Sequence, residues 1–261
     1  MNMPAVKIAG LKASRLIVGG NPFSGNSHRS PEISRQMRDY YTTAKIKETL
    51  RECERCGITT IQARGDNHIM RVLNEYWNEG GALNWIAQTA SERASVRDNL
   101  RQIVSFGAAA CYHHGSSTDR LWRNGEMDVV RDHLCAIRDT GMIVGLGTHN
   151  PDVVRYAEDR GYDVDFYMVS FYDLPSRGGE IYLEEDRAAA CRVIREVDKP
   201  CLAFKIMAAG RNDPEEAFRV AFEHIKPSDA VVVGVFPKDR PKEIEQDAAL
   251  TERFGGVGKT V

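Results

Sequence analysis

No apolar run in this chain approaches the roughly 20 residues that a membrane-spanning helix requires. The first eleven residues carry no basic segment followed by an apolar core, so no secretory signal is read there. Neither sign of charge dominates. Lys and Arg total 35 against 37 Asp and Glu, which leaves no electrostatic footprint for nucleic acid or an anionic membrane. The six cysteines, Cys53, Cys56, Cys111, Cys135, Cys191 and Cys201, mostly fall inside apolar or helical stretches. That usage suits reduced thiols in a cytoplasmic setting rather than a disulfide framework. Cys53 and Cys56 have C-x-x-C spacing at the end of a helical run, and they read as helix residues rather than a redox pair. No H-E-x-x-H or other local metal signature is present. The first glycine-rich turn, Gly19–Gly20–Asn21–Pro22–Phe23, does not fit the dinucleotide fingerprint G-x-G-x-x-G. Near the end, Gly255–Thr260 looks like a phosphate loop, but Arg253 stands where that motif needs glycine, so the segment reads as a flexible tail. These absences leave a small-molecule substrate as the expected partner.

What the chain does have is alternation. Short apolar runs bounded by polar or glycine residues read as buried parallel strands at 15–19, 59–63, 83–89, 107–112, 142–146, 165–171, 201–205 and 230–235. Amphipathic stretches lie between them at 43–56, 69–78, 92–103, 126–140, 184–197, 214–224 and 241–253, with a further helix opening at 150–152. Ser91 is a plausible N-cap, Gly141 a fitting C′ residue, and Pro151 takes the first position of its helix. Eight βα units in 261 residues predict one α/β domain spanning 1–261, a single (β/α)8 TIM barrel. The polar piece 24–41 between the first strand and first helix is read as an irregular lid over the C-terminal face.

Several segments in the same order resemble the aldo-keto reductases. These are Ser14–Asn21 for the first strand, Gly57–Ala63 for the second, Cys111–Tyr112–His113–His114 for the end of the fourth, and Leu146–Gly147–Thr148–His149–Asn150 after the fifth. Gly234 followed by 241–247 resembles the phosphate-binding segment and final helix. The resemblance implies a TIM barrel, NADPH and an Asp, Tyr, Lys and His tetrad in which tyrosine donates a proton. Here Gln62 stands at the aspartate position, Asn67 or His68 near the tyrosine, and Gln88 or Thr89 at the lysine. The histidine remains as His113 or His114. His149 replaces the serine that holds the nicotinamide amide, Asn150 is retained, and Phe171 replaces the stacking tyrosine. Lys238 and Arg240 fall where the cofactor phosphate would bind. Without the Tyr–Lys pair the sequence offers no evident proton donor for hydride transfer, so it points to a divergent member and disfavours reductase chemistry.

Catalytic groups of such barrels come from strand ends and βα loops. That rule selects Asn21, Gln62, Arg64 and Gln88 for substrate binding, and His113, His114, His149, Lys205 and Tyr172 for catalysis. Histidine is concentrated here, so His68, His113 and His149 also form a candidate divalent metal site. Metal-free acid–base work by His113 first and His149 second is the competing reading. Lys205, inside an apolar strand, is either a functional amine or one with a buried partner. Arg64 is placed to clamp an anion. His28, His133 and His224 read as structural. The expectation is a non-redox lyase, isomerase or hydrolase acting on a small polar oxygenated, possibly sugar-derived metabolite. The alternatives are an atypical NADPH-dependent reductase and a non-catalytic ligand-binding barrel.

Overall fold

The computed structural model describes residues 2–174 and 181–256. The chain opens with an antiparallel hairpin, β1 (Ala5–Ile8) and β2 (Leu11–Ser14). Eight parallel strands then close a barrel: β3 (Leu16–Gly19), β4 (Thr60–Arg64), β5 (Asn84–Gln88), β6 (Ala110–His113), β7 (Ile143–Thr148), β8 (Phe166–Ser170), β9 (Cys201–Phe204) and β10 (Ala230–Gly234). Each pairs with its sequence neighbour, and β10 returns to β3 with Gly234 opposite Gly19. The eight expected strands are therefore present in the expected order, as a (β/α)8 barrel.

Alternation along each strand separates two apolar cores. Ile17, Ile86, Ala110, Phe166, Met168, Leu202, Ala230 and Val232 fill the barrel. Val18, Ile61, Trp85, Cys111, Val144, Tyr167, Ala203 and Val231 face the helices. Val6, Ile8 and Ala13 of the hairpin join the inner core. Their neighbours include Ala110, Phe166 and Ala230, the first residues of their strands, so the hairpin plugs the N-terminal end of the barrel.

The helical layer comprises α1 (Pro31–Tyr40), α2 (Thr43–Arg55), α3 (Asn67–Asn78), α4 (Val96–Ser105), α5 (Gly115–Arg123), α6 (Met127–Arg138), α7 (Pro151–Asp159), α8 (Glu184–Glu196), α9 (Pro214–His224) and α10 (Glu243–Gly255). The Ser91 cap is corrected: α4 is capped by Ser95, whose side chain accepts from Asp98 N. Among the described residues, two helices lie where none is read from sequence. One is α1, inside the 24–41 segment, capped by Ser30 with proline at its start. That segment is therefore not irregular. The other is α5, which begins directly after His114 without a capping side chain. The tail at 257–261 lies outside the described residues, and no described helix is long and apolar enough to cross a membrane.

Candidate active site at the barrel mouth

Inward parity at the strand ends brings Gly19, Gln62, Arg64, Gln88, Tyr112, Gly147, His149 and Phe204 to the C-terminal mouth. They surround two adjoining chambers of about 220 and 360 Å³. Asn21, Asn26, His28, Phe204 and Lys205 line both chambers, so the two form one trough. The smaller chamber is polar and also holds Arg64, Gln88, Tyr112, His114, Ser116 and His149. The larger lies beside β3, β9 and β10 under α1.

A buried histidine–carboxylate pair stands in the smaller chamber. His149 follows the last residue of β7, and its Nδ1 lies 2.7 Å from Asp119 Oδ2. Asp119 comes from α5 and is also held by the His149 amide, at 3.2 Å to each oxygen, and by the Thr148 hydroxyl at 2.5 Å. Both side chains are buried. With its Nδ1 proton on Asp119, the imidazole offers Nε2 as a proton acceptor. Phe204 meets the ring edge-on, 5.3 Å between centroids.

Beside it His114 lines the chamber with a buried Nδ1 that has no hydrogen-bond partner. Burial, with the Arg64 charge second, pushes its pKa down to about 4, so the ring is neutral at pH 7. Tyr112, the third residue of β6, points into the barrel. Its hydroxyl accepts from Gln62 Nε2 at 2.9 Å and Gln88 Nε2 at 2.7 Å. Burial raises this phenol well above the ordinary tyrosine range.

The rim is conformationally unusual. Lys205 (φ 62°), His28 (φ 54°), Ala208 (φ 47°) and Ala209 (φ 56°) are non-glycine residues in the left-handed region, where L-residues are disfavoured. Such outliers persist only where surrounding contacts enforce them. Asn21 Nδ2 approaches His28 Nε2 at 3.4 Å, and the His28 carbonyl accepts from Arg211 at 3.2 Å.

The structure brings Asn21, Gln62, Arg64, Gln88, His114, His149 and Lys205 to the trough, as expected of strand-end residues. Arg64 is engaged by Glu92 and by Ser91 Oγ at 3.0 Å. Other candidates lie elsewhere. Strand parity turns His113 outward, where Nδ1 meets Thr118 Oγ1 at 2.8 Å and Nε2 meets His133 Nδ1 at 3.1 Å. Burial there depresses its pKa to about 3. Tyr172 is buried in the outer core, and its hydroxyl accepts from Asn212 Nδ2 at 3.0 Å. Phe171 also packs in the outer core rather than forming a wall of the trough.

Asn150 caps α7, accepting from Asp152 N at 2.9 Å. Lys238 donates to Gln36 Oε1 at 3.2 Å on the surface, and neither it nor Asn150 lines a chamber. Arg240 does line the larger one, with Glu243 at 3.4 Å. His68 is exposed on α3. The proposed His68, His113 and His149 metal site is therefore not assembled. Among the described residues no group of three or more His, Cys, Asp or Glu side chains is placed to hold a metal ion.

Sequence reasoning missed three contributors. Tyr112 was reachable by parity, two residues before His114. Asp119 carried no signal, because α5 has no cap. His28 read as structural, yet it lines both chambers.

No family model and no curated protein matches the chain. Solved structures do. A Pseudomonas aeruginosa protein described as an aldo-keto reductase is 16% identical, with 95% of each chain covered and a TM-score of 0.65. The holo form of an aldo-keto reductase from Bacillus halodurans is 9% identical over 96% of this chain and 91% of that one, with a TM-score of 0.62. The fold is similar to that of the aldo-keto reductases. Other barrels follow, among them the N-acetylmannosamine-6-phosphate 2-epimerase of Clostridium perfringens, 14% identical over 88% of this chain and 92% of that one, at 0.56. At these identities the likeness is one of fold.

Proposed function

We propose that this aldo-keto reductase-like barrel is an oxidoreductase acting on a hydroxyl or carbonyl carbon of a small polar metabolite, with a nicotinamide dinucleotide as hydride carrier. The observation that carries this reading is the Asp119–His149 pair in a polar chamber open to a second, larger one. The missing Tyr–Lys pair removes a proton donor. The Asp–His pair supplies another, and with it the principal chemical objection to reductase chemistry is lifted.

The larger chamber fits an elongated anionic ligand. Gly19 and Gly234 present bare backbone at its base, where a Cβ on Gly234 would lie 2.8 Å from Pro22 Cδ. Arg29, Lys205 and Arg240 line it together with the carboxylates Asp239 and Glu243. Glu243 at the same edge is paired with Arg240, and burial raises its pKa. When bound, the dinucleotide supplies or accepts the hydride.

The chain's own residues do the rest. His149 Nε2 takes the hydroxyl proton in oxidation and returns it in reduction. Asp119 holds the productive tautomer and stabilises the imidazolium. Neutral His114 forms part of the chamber wall beside His149. Phe204 limits the rotation of His149.

A second reading is an isomerase or lyase in which His149 moves a proton on carbon. It is favoured by Gln62 and Gln88 standing at the aspartate and lysine positions. One experiment separates the two. NADPH and NADH are titrated against tryptophan fluorescence, and the protein is then assayed for cofactor turnover with aldoses, ketoses and hydroxy acids. The redox reading expects saturable binding and turnover, with His149→Gln retaining binding and losing about 10²-fold or more in rate. No nucleotide binding overturns it. Solvent deuterium entering a carbonyl compound of the same panel without cofactor would then establish the second reading.

A further inference from the structure

We infer that Tyr112 is the hydrogen-bond donor that holds the reacting oxygen of the substrate in the smaller chamber. The inference rests on the reading of that chamber as the reaction site.

A phenolic hydroxyl has an oxygen that accepts hydrogen bonds and one hydrogen to donate. The Gln62 and Gln88 amides, from β4 and β5, both donate to the Tyr112 oxygen. Neither contact uses the hydroxyl hydrogen, which is left for a third partner. Tyr112 lines the smaller chamber with His149 and His114, so that partner is a chamber occupant. Burial keeps the phenol protonated throughout the neutral range. It therefore acts as a fixed donor rather than a proton shuttle. Fixed donors aimed at an oxygen that gains negative charge are among the largest contributors to catalysis.

The fold makes room for this ring. Gly147 on β7 is the inward neighbour of Tyr112. A Cβ there would lie 2.9 Å from Tyr112 Cδ2 and 2.9 Å from the His113 carbonyl oxygen. Glycine at this position lets the ring stand upright with its hydroxyl at the layer of Gln62 and Gln88. The arrangement replaces the tyrosine–lysine pair with a tyrosine on a different strand, oriented by two neutral amides. Division of labour follows: His149 moves the proton and Tyr112 stabilises the oxygen.

The probe is glycolohydroxamate, a small mimic of an oxyanion next to a hydroxyl-bearing carbon. Binding is followed by calorimetry and by NMR of protein labelled at tyrosine Cζ. The Tyr112 resonance is identified by its loss in Tyr112→Phe. The expected result is saturable binding that moves this resonance, with affinity reduced about tenfold or more in Tyr112→Phe, or about 1.4 kcal/mol. Gly147→Ala, which keeps the hydroxyl and displaces the ring, is expected to weaken the probe in the same direction. A structural tyrosine would leave the resonance and affinity unchanged, and that outcome overturns the inference. So does failure of the parent to bind the probe at millimolar concentration. The dinucleotide titration separates the two proposals. Probe binding that depends on Tyr112 without nucleotide binding removes the redox reading alone. Nucleotide-dependent turnover unaffected by Tyr112→Phe removes the Tyr112 role alone.

Discussion

Asp119 matters through the atom it denies to solvent. Its carboxylate is buried, accepts from Thr148 Oγ1 and the His149 amide, and leaves His149 one productive tautomer. Asp119→Asn keeps the shape and, with its amide toward Nδ1, favours the opposite tautomer, turning the Nε2 lone pair into a donor. Turnover is expected to fall by about 10²- to 10⁴-fold with ligand affinity nearly unchanged. Steady-state kinetics beside nucleotide titration check this, and a loss confined to affinity would contradict the orienting role. Another buried carboxyl, Asp247 on α10, has an Oδ1 without a hydrogen-bond partner, and burial with the nearby Glu243 charge raises its pKa to about 8. Between its ordinary value of 3.8 and about 8, the folded chain keeps a proton that the unfolded chain has released. Stability from this group is therefore full below about pH 4 and declines as pH rises toward 8. Asp247→Asn removes that slope. Denaturant midpoints should show the variant gaining on the parent from pH 5 to pH 8, by about 1–3 kcal/mol at the upper end. A constant gap would argue against a protonated Asp247.

At the scale of elements, α1 is the helix that covers the mouth. Ile33, Gln36 and Met37 cover the larger chamber. The segment is fastened by exposed contacts: Arg29 donates to the Gly210 carbonyl, Arg211 to the His28 carbonyl and Lys238 to Gln36, each at 3.2 Å. Such bonds contribute about 0.5–1.5 kcal/mol apiece. The chain after α1 is held more firmly, because Tyr41 is buried, donates to Val235 O at 2.7 Å and packs on Phe23. Amides of α1 should therefore exchange with solvent by local opening, faster than those of β3 and β10, and NADPH should slow them. Exchange of α1 only with global unfolding would rule out a lid.

The eight barrel strands were legible because buried apolar runs between polar stops have few other homes. The hairpin was not, since its turn is Ala9–Gly10, both at positive φ, rather than Asn–Gly. The site was half legible for a related reason. Strand ends located Gln62, Gln88, His149 and Lys205. A one-residue choice of register separates His114 in the chamber from His113 behind the barrel wall. Asp119 depends on a helix that no local motif announces.

Over the whole molecule, the two ends of the barrel carry different work. The N-terminal end is closed by apolar side chains of β1 and β2, with Ile8 fully buried in the inner core. The C-terminal end holds polar side chains whose groups are incompletely satisfied, such as His114 Nδ1. The inner core of Ile17, Ile86, Phe166, Met168 and Leu202 stands between them. Packed layers of this kind resist deformation, so damage at the plug should lower stability without reshaping the mouth. Ile8→Ala is expected to cost about 2–5 kcal/mol, or roughly 4–20 °C in thermal midpoint for a domain of this size. Below that midpoint, NADPH and glycolohydroxamate affinities should match the parent. His149→Gln should do the reverse, with a midpoint close to the parent and turnover lost. A folded Ile8→Ala protein that no longer binds either ligand would mean that the plug sets the geometry of the mouth, and the separation of stability from chemistry along the barrel axis would fail.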